Sequence, residues 1–123
     1  MIKLENLDEI KAKIKTSTDS EYILESLKAN EKLQSDREVM LAAVKVDGQA
    51  LYYGSKEVRN DKEIVLEAVT RKGLILKYAS HELREDKDIA LAAVKQDKRA
   101  LEYIASEELK QDPDITALFA EEK

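Results

Sequence analysis

An all-α fold, a short α-solenoid of stacked helical-hairpin repeats, is what the 123-residue sequence predicts. The first observation is a repeat with a period of about 25 residues: DREVMLAAVKVDGQALYYGSKEVRN from Asp36, DKEIVLEAVTRKGLILKYASHELRE from Asp61, DKDIALAAVKQDKRALEYIASEELKQ from Asp86. A period in this range marks units that bury their apolar surface only by stacking on neighbours. The second is register: the first two copies share 11 of 25 positions, among them Gly48/Gly73, Tyr53/Tyr78, Ser55/Ser80 and Arg59/Arg84. The third is composition, with one proline and three glycines, as a nearly all-helical chain requires.

Each copy opens on an aspartate (Asp36, Asp61, Asp86) placed to cap a helix, followed two residues later by an acid (Glu38, Glu63, Asp88) that suits the positive end of the helix dipole. The apolar positions Val39, Leu41, Ala43 and Val44, with their counterparts in the other copies, span a wide arc and predict a helix flanked on two sides. Gly48 and Gly73 are expected to end this helix in the left-handed region, although the third copy has Lys98 there. A second short helix follows, through Ala50–Tyr53, Ile75–Tyr78 and Ala100–Tyr103. Ser55, Ser80 and Ser106 then open one more turn, with Val58, Leu83 and Leu109 pointing inward. One extra residue in the third copy, near Ile104–Ala105, predicts a local bulge or an added half-turn.

The whole chain reads as one domain: a degenerate N-terminal cap over 1–35, internal repeats 36–60, 61–85 and 86–111, and a truncated C-terminal cap helix over 112–123. In the N-terminal cap, Leu4, Leu7, Ile10 and Ile14 form one face of a helix. Thr18 with Glu21 suggests a capping box for a second helix buried through Tyr22, Ile23 and Leu27, and Asn30 stands where Ser55 stands later. At the other end Asp112 caps, Pro113 fits the first helical position, Ile115, Leu118 and Phe119 cover the stack, and Glu121–Lys123 is expected to fray.

The pattern D-K-E-x-x-L-x-A-V followed by G-x-x-L-x-Y-A-S-x-E-L-R, clearest from Asp61 to Arg84, resembles the tandem repeats grouped as domain of unknown function 4116. The resemblance runs from Asp36 to about Asp112. It implies a tandem helical module and carries no activity or functional residue with it.

Composition narrows the function classes. There is no cysteine, hence no disulfide or thiolate metal site. A net charge of −5 argues against duplex nucleic acid or an anionic membrane as the main partner. Five tyrosines, one phenylalanine and no tryptophan make a poor stacking platform for single strands. No apolar run approaches a membrane span, and MIKLENLDEI lacks the apolar core of a secretory signal, so a cytoplasmic protein is expected.

No catalytic, cofactor-binding or metal-binding residue stands out. His81, the single histidine, aligns with Lys56 and Glu107, a position that accepts any polar residue. The acid pairs Glu57/Asp61 and Glu82/Asp86 lack the apolar surroundings that would tune a carboxyl for acid–base work. Recurrence of Tyr53, Tyr78 and Tyr103 points to core packing. The variable positions are more informative: Tyr52/Lys77/Glu102, Val46/Arg71/Gln96 and Gln49/Leu74/Arg99 differ on an otherwise fixed scaffold, as partner-reading positions of repeat proteins do. The expected function is therefore a non-enzymatic module that binds a protein or peptide. The alternatives are a structural spacer in a longer protein and an enzyme subunit whose carboxylates work with a divalent metal.

Overall fold

The computed structural model describes residues 6–120, so Leu4 and Glu121–Lys123 lie outside the described residues. Every described element is helical. Each internal repeat is a ten-residue α-helix, a six-residue 3-10 helix and a short closing turn. These are α4 (Arg37–Val46), η1 (Gly48–Tyr53) and α5 (Lys56–Arg59); α6 (Lys62–Arg71), η2 (Gly73–Tyr78) and η3 (Leu83–Glu85); α7 (Lys87–Gln96), η4 (Lys98–Tyr103) and α8 (Glu107–Lys110). Before them come α1 (Leu7–Thr16), α2 (Ser20–Ala29) and α3 (Glu31–Gln34), and after them α9 (Pro113–Ala120).

The second helix of each repeat is thus a 3-10 helix rather than a short α-helix. The 3-10 form rises about 2.0 Å per residue, so six residues span roughly 12 Å, close to the roughly 15 Å of a ten-residue α-helix at about 1.5 Å per residue. A 25-residue unit can therefore line two comparable lengths against each other. The ten-residue helices α1, α4, α6 and α7 stack side by side in that order, with the eight-residue α9 after them, and α2, η1, η2, η4 form the parallel layer. Along the third edge the short turns are stitched by one recurring backbone bond between repeats: Ser55 N–H donates to Gln34 O (2.9 Å), Ser80 N–H to Arg59 O (3.0 Å) and Ala105 N–H to Arg84 O (3.0 Å).

The aspartates cap as expected: Asp36 accepts from Val39 N–H, Asp61 from Ile64 and Asp86 from Ile89, at 3.1–3.2 Å. The serines cap the closing turns, accepting from Val58, Leu83 and Leu109 N–H. The inserted residue of the third copy separates two tasks that one serine performs elsewhere. Ala105 makes the inter-repeat backbone bond, and Ser106, one residue on, makes the cap.

Several expectations are corrected. No glycine has positive φ, and α4 and α6 end on extended Asp47 and Lys72. Gly48 and Gly73 are there for space. A Cβ on Gly48 would lie 2.7 Å from Ala68 O of the next repeat, and a Cβ on Gly73 would come closer still to Ala93 O. The stripe of the long helices is Val39, Met40, Ala43, Val44 and its counterparts, all fully buried, whereas Leu41, Leu66 and Leu91 are only half-buried. The cap of α2 is Asp19, whose carboxylate accepts from Tyr22 N–H, and not Thr18. Asn30 occupies the cap position of α3, but its side chain donates to Ser26 O.

Candidate functional site

Between successive repeats runs a ladder of ion pairs. Arg37, at the first position of α4, reaches Asp61 (2.7 Å) and Glu63 of the next copy. Lys62 reaches Asp86 (3.1 Å) and Asp88 (3.0 Å), and Lys87 reaches Asp112 (3.2 Å) and Asp114 (2.8 Å). The N-terminal unit supplies the same service from elsewhere on its helix, with Lys11 on Asp36 (2.9 Å) and Lys15 on Glu38 (2.9 Å). Each aspartate thus caps its own helix and receives a cation from the preceding unit. Burial pushes the Asp61 carboxyl up, but the Arg37 guanidinium and the Ile64 N–H outweigh it and hold the group below its ordinary value. The same balance, with Lys11 and with Lys62, holds Asp36 and Asp86 below theirs. Lys62 is raised, first by its hydrogen bond to Asp88 and then by Asp86. This is a structural joint rather than a reactive site. Sequence reasoning saw the acids and missed their partners, although the recurring triplets Asp-Arg-Glu, Asp-Lys-Glu and Asp-Lys-Asp carried the signal.

The variable positions fall into two sets. With three residues per 3-10 turn, Gly48, Leu51 and Gly54 share the buried edge of η1, while Gln49 and Tyr52 share the outer edge. The outer edges of η2 and η4 carry Leu74 with Lys77 and Arg99 with Glu102. Tyr52, Lys77 and Glu102 are exposed, and Leu74 is half-buried. At the C-terminal ends of the long helices, Arg71 is exposed and Val46 half-buried. Gln96 is already engaged, because its carboxamide oxygen accepts Gly73 N–H (2.5 Å) and clasps the second repeat to the third.

Tyr52 is 46% exposed, and no other large hydrophobic among the described residues is exposed. Its ring is braced edge-on by Tyr53 and Tyr78, both with centroids 5.0 Å away. Tyr53, Tyr78 and Tyr103 are half-buried: they pack against the core, as expected, and their outer sides border the surface. The Lys77 ammonium lies 5.1 Å from the centre of the Tyr78 ring. Beside this patch a cleft opens between α5 and the turn after η2, lined by Gly54, Lys56, Arg59, Tyr78, Ala79 and His81. His81 is exposed, with Nε2 3.0 Å from a Glu85 carboxylate oxygen. Among the described residues no three histidine, cysteine or acidic side chains are gathered as a metal site would need, and no helix is long and apolar enough to cross a membrane.

These layers define an α-helical repeat protein whose distinctive surface is the outer edge of its 3-10 helices. The chain belongs to the family described as Domain of unknown function (DUF4116), which matches residues 22–59 and 61–110 as two adjacent segments. The match begins at Tyr22, inside the unit expected to be a worn cap, and so reaches further than the resemblance counted from Asp36. No curated protein and no solved structure matches the chain.

Proposed function

We propose that the protein is a non-enzymatic, cytoplasmic binding module that takes a protein segment or peptide along the outer edge of η1 and η2, without a nucleic-acid or membrane role. The observation that carries this reading is Tyr52, an exposed aromatic ring held rigid by two others in an otherwise charged surface. Pre-ordered aromatic side chains are the usual anchors of protein interfaces, since they bury a large area at little cost in side-chain freedom. Lys77 and Leu74 on the neighbouring outer edge, and the cleft beside Tyr78, give such an anchor a polar and an apolar border. Glu102 continues the outer edge on η4; Val46 and Arg71, at the ends of the long helices, form a separate set, with Val46 beside Ile14, Lys15 and Leu41, and Gln96 is assigned to the fold.

Panning a randomised peptide library on the full chain, with the Tyr52→Ala chain as counter-target, tests the reading. Peptides that bind the first and not the second are the expected result. Enrichment no better than on an unrelated helical protein would refute it.

A further inference from the structure

The cleft beside Tyr52 differs in charge from one end to the other. At the end next to η1 the cationic walls are Lys56 and Arg59, the floor is Gly54, Ala79 and the Tyr78 ring, and the nearby carboxylate, that of Glu85, is taken up by His81 Nε2 at 3.0 Å. Glu57 and Glu82 line the far end with Asn60, and Lys56 and His81 border both ends. In a chain of net charge −5 this is a local reversal of sign. The cleft exists because the residues that close η1 and η2 are small; the third repeat has Ile104 at that position and the inserted Ala105 after it.

Arg59 is set for recognition rather than left to wander. Its Nε donates to Gly54 O (3.1 Å) and its Nη2 to Tyr52 O (2.5 Å), which ties the guanidinium to the backbone of the anchor residue itself. Two of its five N–H donors are used in this way, and the others remain for a ligand. Lys56, exposed on the same short turn as Arg59, adds a mobile positive charge.

We propose that this end of the cleft takes a carboxylate side chain of a short acidic peptide segment, while a neighbouring apolar residue of that segment lies on the Tyr52 ring. The inference rests on the peptide-binding reading above and names the class of peptide. Charge-assisted bonds from a fixed guanidinium to a carboxylate are short and directional, so they set register while the aromatic contact supplies area. The overall negative charge repels long acidic tracts at a distance, which favours a segment with one or two acids flanked by neutral or basic residues.

The test uses the peptides enriched by panning, made as labelled synthetic probes and titrated by fluorescence anisotropy against the full chain and its Lys56→Glu and Tyr52→Ala variants. Lys56 is an exposed residue of a four-residue turn, so the substitution should leave the melting temperature unchanged. The expected result is that the probes carry Asp or Glu beside an apolar residue, and that Lys56→Glu weakens them by about tenfold or more. Probes that need Tyr52 but carry no acid and ignore Lys56→Glu would overturn this inference and leave the peptide-binding reading standing. Probes indifferent to Tyr52→Ala would overturn both. An oligothymidylate that binds as tightly as the acidic probes would also overturn it, by showing a general attraction for anions.

Discussion

The joint between the first two repeats and the joint between the third repeat and α9 use the same positions with different residues. In the first, Gly48 lets the Ala68 carbonyl come close, and Leu51 is completely buried between α2 and η2. In the last, Lys98 stands where Gly48 stands, its ammonium 5.9 Å from the centre of the Phe119 ring, and Leu101 is only half-buried. The helix α9 rests on α7 and α8 and hardly touches η4, whereas α6 packs on both α4 and η1. The two joints differ at this turn: without a Cβ at Gly48 the carbonyl of the next long helix comes close, whereas at Lys98 the side chain reaches over the Phe119 ring. Among the described residues the long-helix layer is continued by α9, and no 3-10 helix follows to cover η4.

The most severe way to break the comparison is to remove an end. Deleting residues 1–35 strips α1, α2 and α3 from α4 and η1 and exposes the wide apolar arc around Val39, Met40 and Leu51. The remaining fragment is expected to self-associate and to lose its cooperative melt, because repeat units draw their stability from interfaces. Deleting 113–123 uncovers the looser joint, and a monomer with a lowered melting temperature is expected. Light scattering and thermal melts decide; a 36–123 fragment that stays monomeric and melts like the parent would end the capping argument.

Point substitutions sharpen the contrast. Leu76→Ala, inside the tight stack, should cost about 2–5 kcal/mol, and Leu101→Ala clearly less, in urea melts; equal losses would mean that the η4 layer is closed after all. Gly73→Ala should cost about 1–3 kcal/mol by overpacking against the α7 backbone. Gly48→Ala should cost less, because its contact is the longer one. Lys98→Ala should stay within about 0.5 kcal/mol, as substitutions outside tight packing do. Gln96→Ala leaves Gly73 N–H without its acceptor and should cost about 1 kcal/mol, whereas Arg71→Ala, at the aligned position, should be nearly silent.

The smallest effect belongs to the ion-pair ladder, whose members are largely in solvent. Asp36, Asp61, Asp86 and Asp112 all have carboxyl groups held below their ordinary value in the folded chain. A lowered folded value means that the unfolded chain takes up the proton first as pH falls. The stabilisation is therefore complete above the ordinary carboxylate range, near pH 4, and disappears as pH drops through the folded values. Melts from pH 7 down to pH 3 should show it, and Lys62→Ala should flatten part of that slope while lowering the neutral-pH melting temperature only slightly. An unchanged acid slope would show that the aspartates are held by their capping bonds alone.

The architecture was legible because repetition multiplies weak signals. One Asp before an apolar run suggests a cap, whereas three at a constant spacing, each followed by a serine-capped turn, leave little else. The 3-10 geometry was hidden because Ala-Leu-x-Tyr is compatible with either helix type, and the choice is made by the length that must be matched across the layer. Gly48 and Gly73 were read through their own backbone freedom, yet what they answer to is a carbonyl some 20 residues on, which no local rule sees. The candidate surface was half legible. Variation picked out Tyr52, Lys77 and Leu74, which share outer edges, and it also picked out Gln96, whose engagement with Gly73 depends on the fold. The cleft at Lys56 and Arg59 escaped notice because Gly54 and Ala79 look unremarkable until the turns are stacked.

The shared aspartate has a consequence for how such a chain can grow. Asp-Lys-Glu holds, within three consecutive residues, both halves of the connection between units: acids that receive the unit before and a cation that reaches the unit after. Any in-frame tandem copying of one 25-residue segment therefore reproduces plug and socket together, already matched in charge and register. Copying carries the two halves together, so a lengthened array arrives with its new boundary in working order. Pro113, in the place of the cation, is a copy of the segment in which the plug has been lost and the socket kept.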